Sequence, residues 1–254
     1  MPKPWLLLLL MIGCNNATST NPSFDKTNKI PLDLVSKKFE EGSWPSFLQN
    51  LRVVDSPVID YRGKKIHQQW KSAGIIPYDV GKADLQQCAD ALMRLRAEYL
   101  FEKKRFDEIG FHFVSGDYFS FEQFCKGLKP VVAGNGVRFI TGSPSEKTHA
   151  ALRKYLDLVY TYASTISLAK ELKKADRIEV GTVVVYAGSP GHCFIVIDEA
   201  VDEEGQKVFR LAEGYTPAQS IYVLRNTDKE GKSPWHRLGT GTIRTPVIHL
   251  PIMS

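Results

Sequence analysis

The chain has 254 residues, of which 43% are hydrophobic and 24% are charged. Such a composition is typical of a globular protein rather than a disordered one, and the length allows a sizeable hydrophobic core. The net charge of +5 arises from 33 basic and 28 acidic residues with no long basic run, so we expect no nucleic-acid partner.

The amino terminus has the features of a secretory signal. Lys3 precedes an apolar run at 6–12, which is too short to span a bilayer, and Gly13 and Cys14 follow it. A cysteine directly after a small residue resembles the signal of bacterial lipoproteins. The resemblance implies that residues 1–13 are removed and that Cys14 carries lipid, palmitate included. An ordinary signal peptide with an unrelated cysteine is the alternative.

The segment after the signal is predicted to be a tether. Residues 14–30 are rich in Asn, Ser and Thr and have no apolar period, so they cannot bury enough surface to order themselves. A single domain is expected over 31–254. Lipid on Cys14 would place that domain on the bacterial cell envelope, at the outer membrane or the cell surface.

The first half of the domain is predicted to be largely helical. Its clearest helix begins at Asp84 with a capping box that ends at Gln87, and apolar residues recur along one face to about residue 104. The other elements predicted here are a short helix at 44–51, a hairpin of 53–59 and 65–70 around Gly63, a strand at 109–114, a helix at 119–126, a strand at 137–140 and a helix at 143–174.

The second half is predicted to be a set of strands. The apolar, β-branched runs lie at 178–186, 193–200, 207–212, 220–224 and 242–249. Helices followed by an antiparallel meander define the α+β class, with helices packed on one side of a mostly antiparallel sheet.

One histidine stands where two of these strands are joined. His192 follows the loop that connects the Val183–Val185 run to the next apolar run. Strand ends beside loops are where catalytic and binding side chains are often displayed. A histidine that only caps the strand, or that bonds to Glu213 as a structural pair, is the alternative.

A cysteine far upstream could act with this histidine. Cys88 would be the fourth residue of its helix, in the turn where unpaired amides favour a thiolate. An imidazole could take the thiol proton, and Glu213 on the next strand could orient the imidazole. Alternatively, Cys88 is a small core residue, since it shares a helix face with Leu92 and Leu95. Three cysteines follow Cys14, so at least one thiol is expected to be free.

Several motifs carry a resemblance to known enzymes. Gln87-Cys88 at a helix start, G-x-V-V-V-Y, Gly191-His192 and an acidic residue on the following strand resemble the papain-like amidases and peptidases of the CHAP and NlpC/P60 families. The resemblance implies a papain-like arrangement in which Cys88 is the nucleophile, Gln87 helps to form the oxyanion site and His192 is the base. Glu213 or Gln219 would orient the base.

The chain as a whole also resembles an uncharacterised family of bacterial lipoproteins. The phrases QQCADALMRLRAEYL, GSPGHCFIVID and LAEGYTPAQ carry that likeness, and it implies no activity.

These observations lead to two hypotheses of different classes. The first is an envelope-tethered cysteine hydrolase that cleaves a peptide or amide, and the second is a non-catalytic lipoprotein that binds a peptide, glycan or partner protein through the same groove. We expect a monomer without a cofactor, and no metal site, since the remaining histidines lack ligand spacing. The substrate-binding candidates are Ser189, Tyr215, Gln219 and Trp235.

The charged residues of the long helix are predicted to face water. Asp90, Arg94 and Glu98 follow each other at intervals of four and would form a solvated ladder of ion pairs.

Overall fold

A computed structural model of the chain describes residues 34–134, 136–227 and 233–238, and the backbone of two short strands near the carboxyl terminus. Among these residues the α-helices are α1 (Trp44–Gln49), α2 (Cys88–Glu102), α3 (Phe121–Cys125), α4 (His149–Tyr162) and α5 (Thr165–Glu171). The strands of the same residues are β1 (Val35–Ser36), β2 (Ser72–Ile76), β3 (Gly110–His112), β4 (Tyr118–Ser120), β5 (Leu128–Ala133), β6 (Gly136–Thr141), β7 (Val183–Tyr186), β8 (His192–Val201), β9 (Lys207–Glu213), β10 (Ile221–Leu224), β11 (Trp235–His236), β12 (Ile243–Arg244) and β13 (His249–Leu250).

The largest sheet is antiparallel and curled. Strands β8, β9 and β10 form the predicted meander, and β2 adds to the far edge of β10. The long strand β8 pairs with β7 near its start and with β1 near its end, while β9 pairs with β10 near its end and with β11 further back. The combination of helices with an antiparallel sheet is therefore confirmed.

Helix α2 packs against this sheet and supplies much of the core. It contacts β8 and β9 on one side and α4 and α5 elsewhere, and α1 also lies against β8. Leu92 and Leu95 of α2 share one apolar cluster with Phe194 and Val196 of β8. Because other elements cover α2 on several sides, most of its residues are buried.

The predicted solvated ladder on α2 is wrong. Asp90, Arg94 and Glu98 are all buried, and Arg94 is only 1% exposed. The Nε atom of Arg94 bonds Glu98 Oε1 at 2.6 Å, and its Nη2 atom lies 3.1 Å from Asp79 Oδ1. Arg94 and Glu98 pair inside the protein where α4 covers them, since His149 of α4 contacts Glu98, whereas Asp90 bonds the Gln87 N–H instead.

The predicted helix over 143–174 is two helices with a later start. Thr148 caps α4, since its hydroxyl accepts the Ala151 N–H at 3.2 Å. Ala163 is extended, and the Ser164 hydroxyl then accepts the Ile166 N–H at 3.0 Å to begin α5. Local capping by Ser and Thr competes with helix continuation, and here it separates the two helices.

Other boundaries also differ from prediction. Only the turn of the 53–70 hairpin forms, with a bridge between Ile59 and Lys65, while 69–71 is a 3-10 turn that leads into β2. Strand β5 was not predicted, and the predicted strand 178–186 begins only at Val183. The predicted strand over 242–249 lies partly outside the described residues.

Candidate functional site

Cys88 is the first residue of α2, not the fourth as predicted. The side chain of Asp84 does not cap the helix; its Oδ1 atom accepts the Ala218 N–H at 2.6 Å and the Gln87 amide at 3.2 Å. The helix begins at Cys88 because the Asp90 carboxylate accepts the Gln87 N–H at 3.0 Å. The amides of the first helical residues have no intrahelical acceptor, so Cys88 lies in a region of positive potential.

Three strands of the meander supply the imidazole beside the thiol and the two side chains that hold it in place. His192 is the first residue of β8 and Glu213 is the last of β9. The His192 Nε2 atom lies 2.7 Å from Glu213 Oε2. Tyr222 of β10 stands directly opposite Glu213 in the antiparallel register and donates its hydroxyl proton to Glu213 Oε1. The carboxylate is therefore held on both oxygens, and all three side chains are buried.

A glycine brings the helix and the strand ends together. A Cβ atom on Gly214 would lie 2.7 Å from the Ala91 side chain and 2.8 Å from the Gln87 carbonyl oxygen. Only glycine permits this approach of the chain after β9 to the first turn of α2. This approach brings the Cys88 thiol beside the imidazole of His192, whose positive charge stabilises the thiolate.

The pKa of Cys88 is lowered to about 5. The largest cause is a hydrogen bond from the thiol of Cys193, and the hydrogen bond and charge of His192 add to it against the opposing effect of burial. Burial raises the pKa of Cys193 well above its ordinary value, so Cys193 keeps its proton and can donate it. The thiol of Cys88 therefore ionises far more readily than an ordinary cysteine.

The pKa of His192 moves in the opposite direction, to about 9. Burial acts to lower it, but hydrogen bonds to Cys88 and Glu213 together raise it further than burial lowers it. Between about pH 5 and about pH 9 the pair consists of a thiolate and an imidazolium. A low-pKa thiolate beside a proton donor is the arrangement that covalent catalysis by cysteine requires.

The remaining predicted residues lie at different distances from this pair. The ring of Tyr215 meets the His192 ring edge-on at 5.5 Å. Gln87 accepts the Thr216 hydroxyl at 3.1 Å and donates to Asp84, so it links the loop after β9 to the helix start. Ser189 is exposed in the turn before His192.

Two predicted binding residues lie in other surroundings. Gln219 is buried and pairs with Asp60 in an isolated bridge, and no described hydrogen bond joins it to His192. Trp235 is buried in β11 opposite Arg210, in a small cluster apart from the main core, where it is not available to a substrate. Of the two candidates for the orienting residue, the structure places Glu213 beside the imidazole.

Sequence reasoning missed two contributors, Tyr222 and Cys193. The antiparallel register of β10 against β9 places Tyr222 opposite Glu213. That register could not be derived from the sequence, because the exact ends of the two strands were not known. Cys193 follows His192 directly and gave no separate signal. The expectation of a free thiol is confirmed, since Cys88, Cys125 and Cys193 are all unpaired.

Comparison with known proteins shows the family of this chain. Residues 24–252 match the family described as "Domain of unknown function (4846)", and the chain belongs to that family. No curated protein and no solved structure matches the chain. Within the described part of the chain, every helix is too short or too polar to cross a bilayer.

Proposed function

We propose that this protein is a cysteine hydrolase that cleaves a peptide or amide of the cell envelope. Cys88 is the nucleophile, His192 is the base and then the acid, and Glu213 orients the imidazole. One observation carries the proposal: the thiol at the start of α2 lies beside an imidazole that a buried carboxylate holds at 2.7 Å, and the pKa of that thiol is lowered to about 5.

The first half of the reaction breaks the amide bond. The Cys88 thiolate attacks the acyl carbon and the carbonyl electron pair moves to oxygen. When the carbonyl reforms, the carbon–nitrogen bond breaks and the His192 imidazolium gives its proton to the leaving nitrogen. The products are a free amine, a thioester on Cys88 and a neutral imidazole.

The second half restores the enzyme. Neutral His192 takes a proton from water, whose oxygen attacks the thioester. The carbon–sulfur bond then breaks, which releases the carboxylic acid and returns the thiolate and the imidazolium. Glu213 holds the ring in place throughout and stabilises its charged form, while Tyr222 holds Glu213.

Stabilisation of the oxyanion is expected from the start of α2. The Cys88 N–H is the first amide of a 15-residue helix and has no intrahelical acceptor. It lies on the residue that carries the attacking sulfur, where an oxyanion develops. One Gln87 amide proton is held by Asp84, so the second is the one that could assist.

We also propose a papain-like arrangement and a lipid anchor. A cysteine at a helix start, facing a histidine and an acidic residue on neighbouring antiparallel strands, supports the first. The signal-like segment that ends in Gly13-Cys14 supports the second. Both residues lie outside the described part of the chain.

Cell-wall peptides test the hydrolase directly. Purified peptides incubated with the domain should yield new amino groups and shorter fragments, measured by amine labelling and mass spectrometry. Cys88→Ala and His192→Ala should lower the rate by at least about a thousandfold, because the two residues act as one unit. Cys125→Ala is the matched control, since it removes an equally buried free thiol. Equal rates for Cys88→Ala and the wild type would refute the proposal, and binding without cleavage would favour the non-catalytic lipoprotein.

A further inference from the structure

A buried lysine lies next to the candidate site without an acidic partner. Lys71 is only 4% exposed, and its ammonium group makes no hydrogen bond and no ion pair with any described residue. Its contacts are with aromatic faces: the Nζ atom lies 4.8 Å from the Tyr215 ring centre and 5.9 Å from that of Trp70. The side chain is covered by these rings while the ammonium group itself is not sealed from solvent, so an anion in the site has access to it.

The lysine is fixed on the imidazole side of the site. It precedes β2, which pairs with β10, and the Arg225 N–H bonds the Lys71 carbonyl at 2.8 Å. The Tyr215 ring beneath its ammonium group is the ring that meets His192 edge-on at 5.5 Å. A few residues of extended peptide, at about 3.3–3.6 Å each, cover the distance from the imidazole to the ammonium.

Glu213 is the acidic group that acts on this charge, but it forms no ion pair with the ammonium group. Burial lowers the pKa of Lys71, and attraction to Glu213 opposes that effect. Both oxygens of Glu213 are already bonded, one to His192 and the other to Tyr222. The free ammonium group therefore has its hydrogen-bond donors available to a bound anion.

We propose that Lys71 binds a carboxylate on the leaving group of the substrate. This inference rests on the proposed hydrolase, in which His192 gives its proton to the leaving nitrogen. The leaving group must then lie on the imidazole side, which is the side where Tyr215 and Lys71 are found. The substrate class is a peptide whose amine-side fragment carries a free carboxylate close to the scissile amide.

Paired alkylating reagents test this preference without knowledge of the natural substrate. The reagents are N-iodoacetylglycine and N-iodoacetylglycylglycine, each compared with its own terminal carboxamide. For at least one length, the acid should alkylate Cys88 of the wild type about tenfold faster than the amide, the size that a single charge-assisted hydrogen bond supports. Lys71→Met should bring the ratio of acid to amide rates close to one.

The control is Lys126→Met, which removes a lysine whose side chain is 70% exposed and should leave the ratio at its wild-type value. Lys71→Gln replaces Lys71→Met if the latter does not fold. Equal rates of acid and amide in the wild type, or a preference that survives loss of Lys71, would overturn the inference while Cys88 still reacts rapidly. Slow labelling of Cys88 by all four reagents would instead refute the hydrolase, and this inference with it.

Discussion

Cys88 and His192 each stabilise the charged form of the other. The pKa of Cys88 falls to about 5 and that of His192 rises to about 9, so the ion pair persists between those values. The contribution of His192 to folding stability is complete below its unfolded pKa of about 6.5 and is lost as pH rises through about 9. That of Cys88 is complete above its unfolded pKa and is lost as pH falls through about 5.

Glu213→Gln tests the role of the carboxylate at this residue scale. Loss of its charge should lower the pKa of His192 from about 9, because its hydrogen bond and charge both raise that pKa. The imidazolium should therefore lose its proton, and the ion pair with Cys88 should be lost, at a lower pH than about 9. The pH dependence of thiolate absorbance, taken as the difference from Cys88→Ala, measures the effect together with titration of the His192 ring by NMR.

Glu199→Gln is the matched control for that substitution. Glu199 is also a buried carboxylate, but it lies further along β8 and pairs with Lys37 and Lys207. The Glu199→Gln substitution should lower the free energy of unfolding but leave the pKa of His192 unchanged. If Glu213→Gln leaves the His192 titration unchanged, Glu213 does not hold the imidazole in the way proposed.

At the scale of elements, the site depends on where α2 begins and on how closely the chain after β9 approaches it. His192 could be placed at the start of β8 from sequence, because a Gly- and Pro-rich loop separates two apolar runs there. The start of α2 could not, because Asp84 has the sequence of a helix cap while its side chain bonds Ala218, which is 134 residues away. Long-range contacts of this kind override local capping signals.

Gly214→Ala should separate the helix from the strand ends. The added methyl group would meet Ala91 and the Gln87 carbonyl at less than 3.0 Å, so the first turn of α2 must move. We expect the free energy of unfolding to fall by about 1–3 kcal/mol, the usual cost of overpacking, and the pKa of Cys88 to rise towards its ordinary value. Urea denaturation and the pH dependence of alkylation measure the two effects.

Gly136→Ala is the control, because it replaces a glycine by alanine at a position where the added methyl group has room. A Cβ atom there would have no neighbour closer than 3.9 Å, and the backbone does not require positive φ. It should leave the reactivity of Cys88 unchanged. A Gly214→Ala variant with the stability and the thiol pKa of the wild type would show that this close approach does not position the site.

For the whole molecule, the class of fold was predictable and the burial of its charges was not. Apolar, β-branched runs separated by turn residues predicted the meander of β8, β9 and β10. The helix periodicity of α2 predicted one apolar face, but α4 covers the opposite face as well, so Arg94 and Glu98 pair inside the protein. The periodicity of a sequence shows which face of a helix is apolar, but it does not show which other elements pack against the polar face.

The proposed lipid anchor is also a property of the whole chain. The full-length protein expressed in a bacterial host should incorporate labelled palmitate and partition into detergent, whereas Cys14→Ser should remain in the aqueous phase without label. Cys125→Ser is the control, because it alters a cysteine of the folded domain and should keep both properties. Label that persists in Cys14→Ser would exclude Cys14 as the lipid-bearing residue.

The most direct test compares two cysteines of equal exposure. Cys88 and Cys125 are each 8% exposed, yet hydrogen bonds lower the pKa of Cys88 to about 5 while burial raises that of Cys125. At pH 7, iodoacetamide should label Cys88 at least about tenfold faster, because only the thiolate reacts, and His192→Ala should remove most of the difference. Mass spectrometry of the labelled peptides resolves the two sites. Equally slow labelling of Cys88 and Cys125 in the wild type would contradict the account.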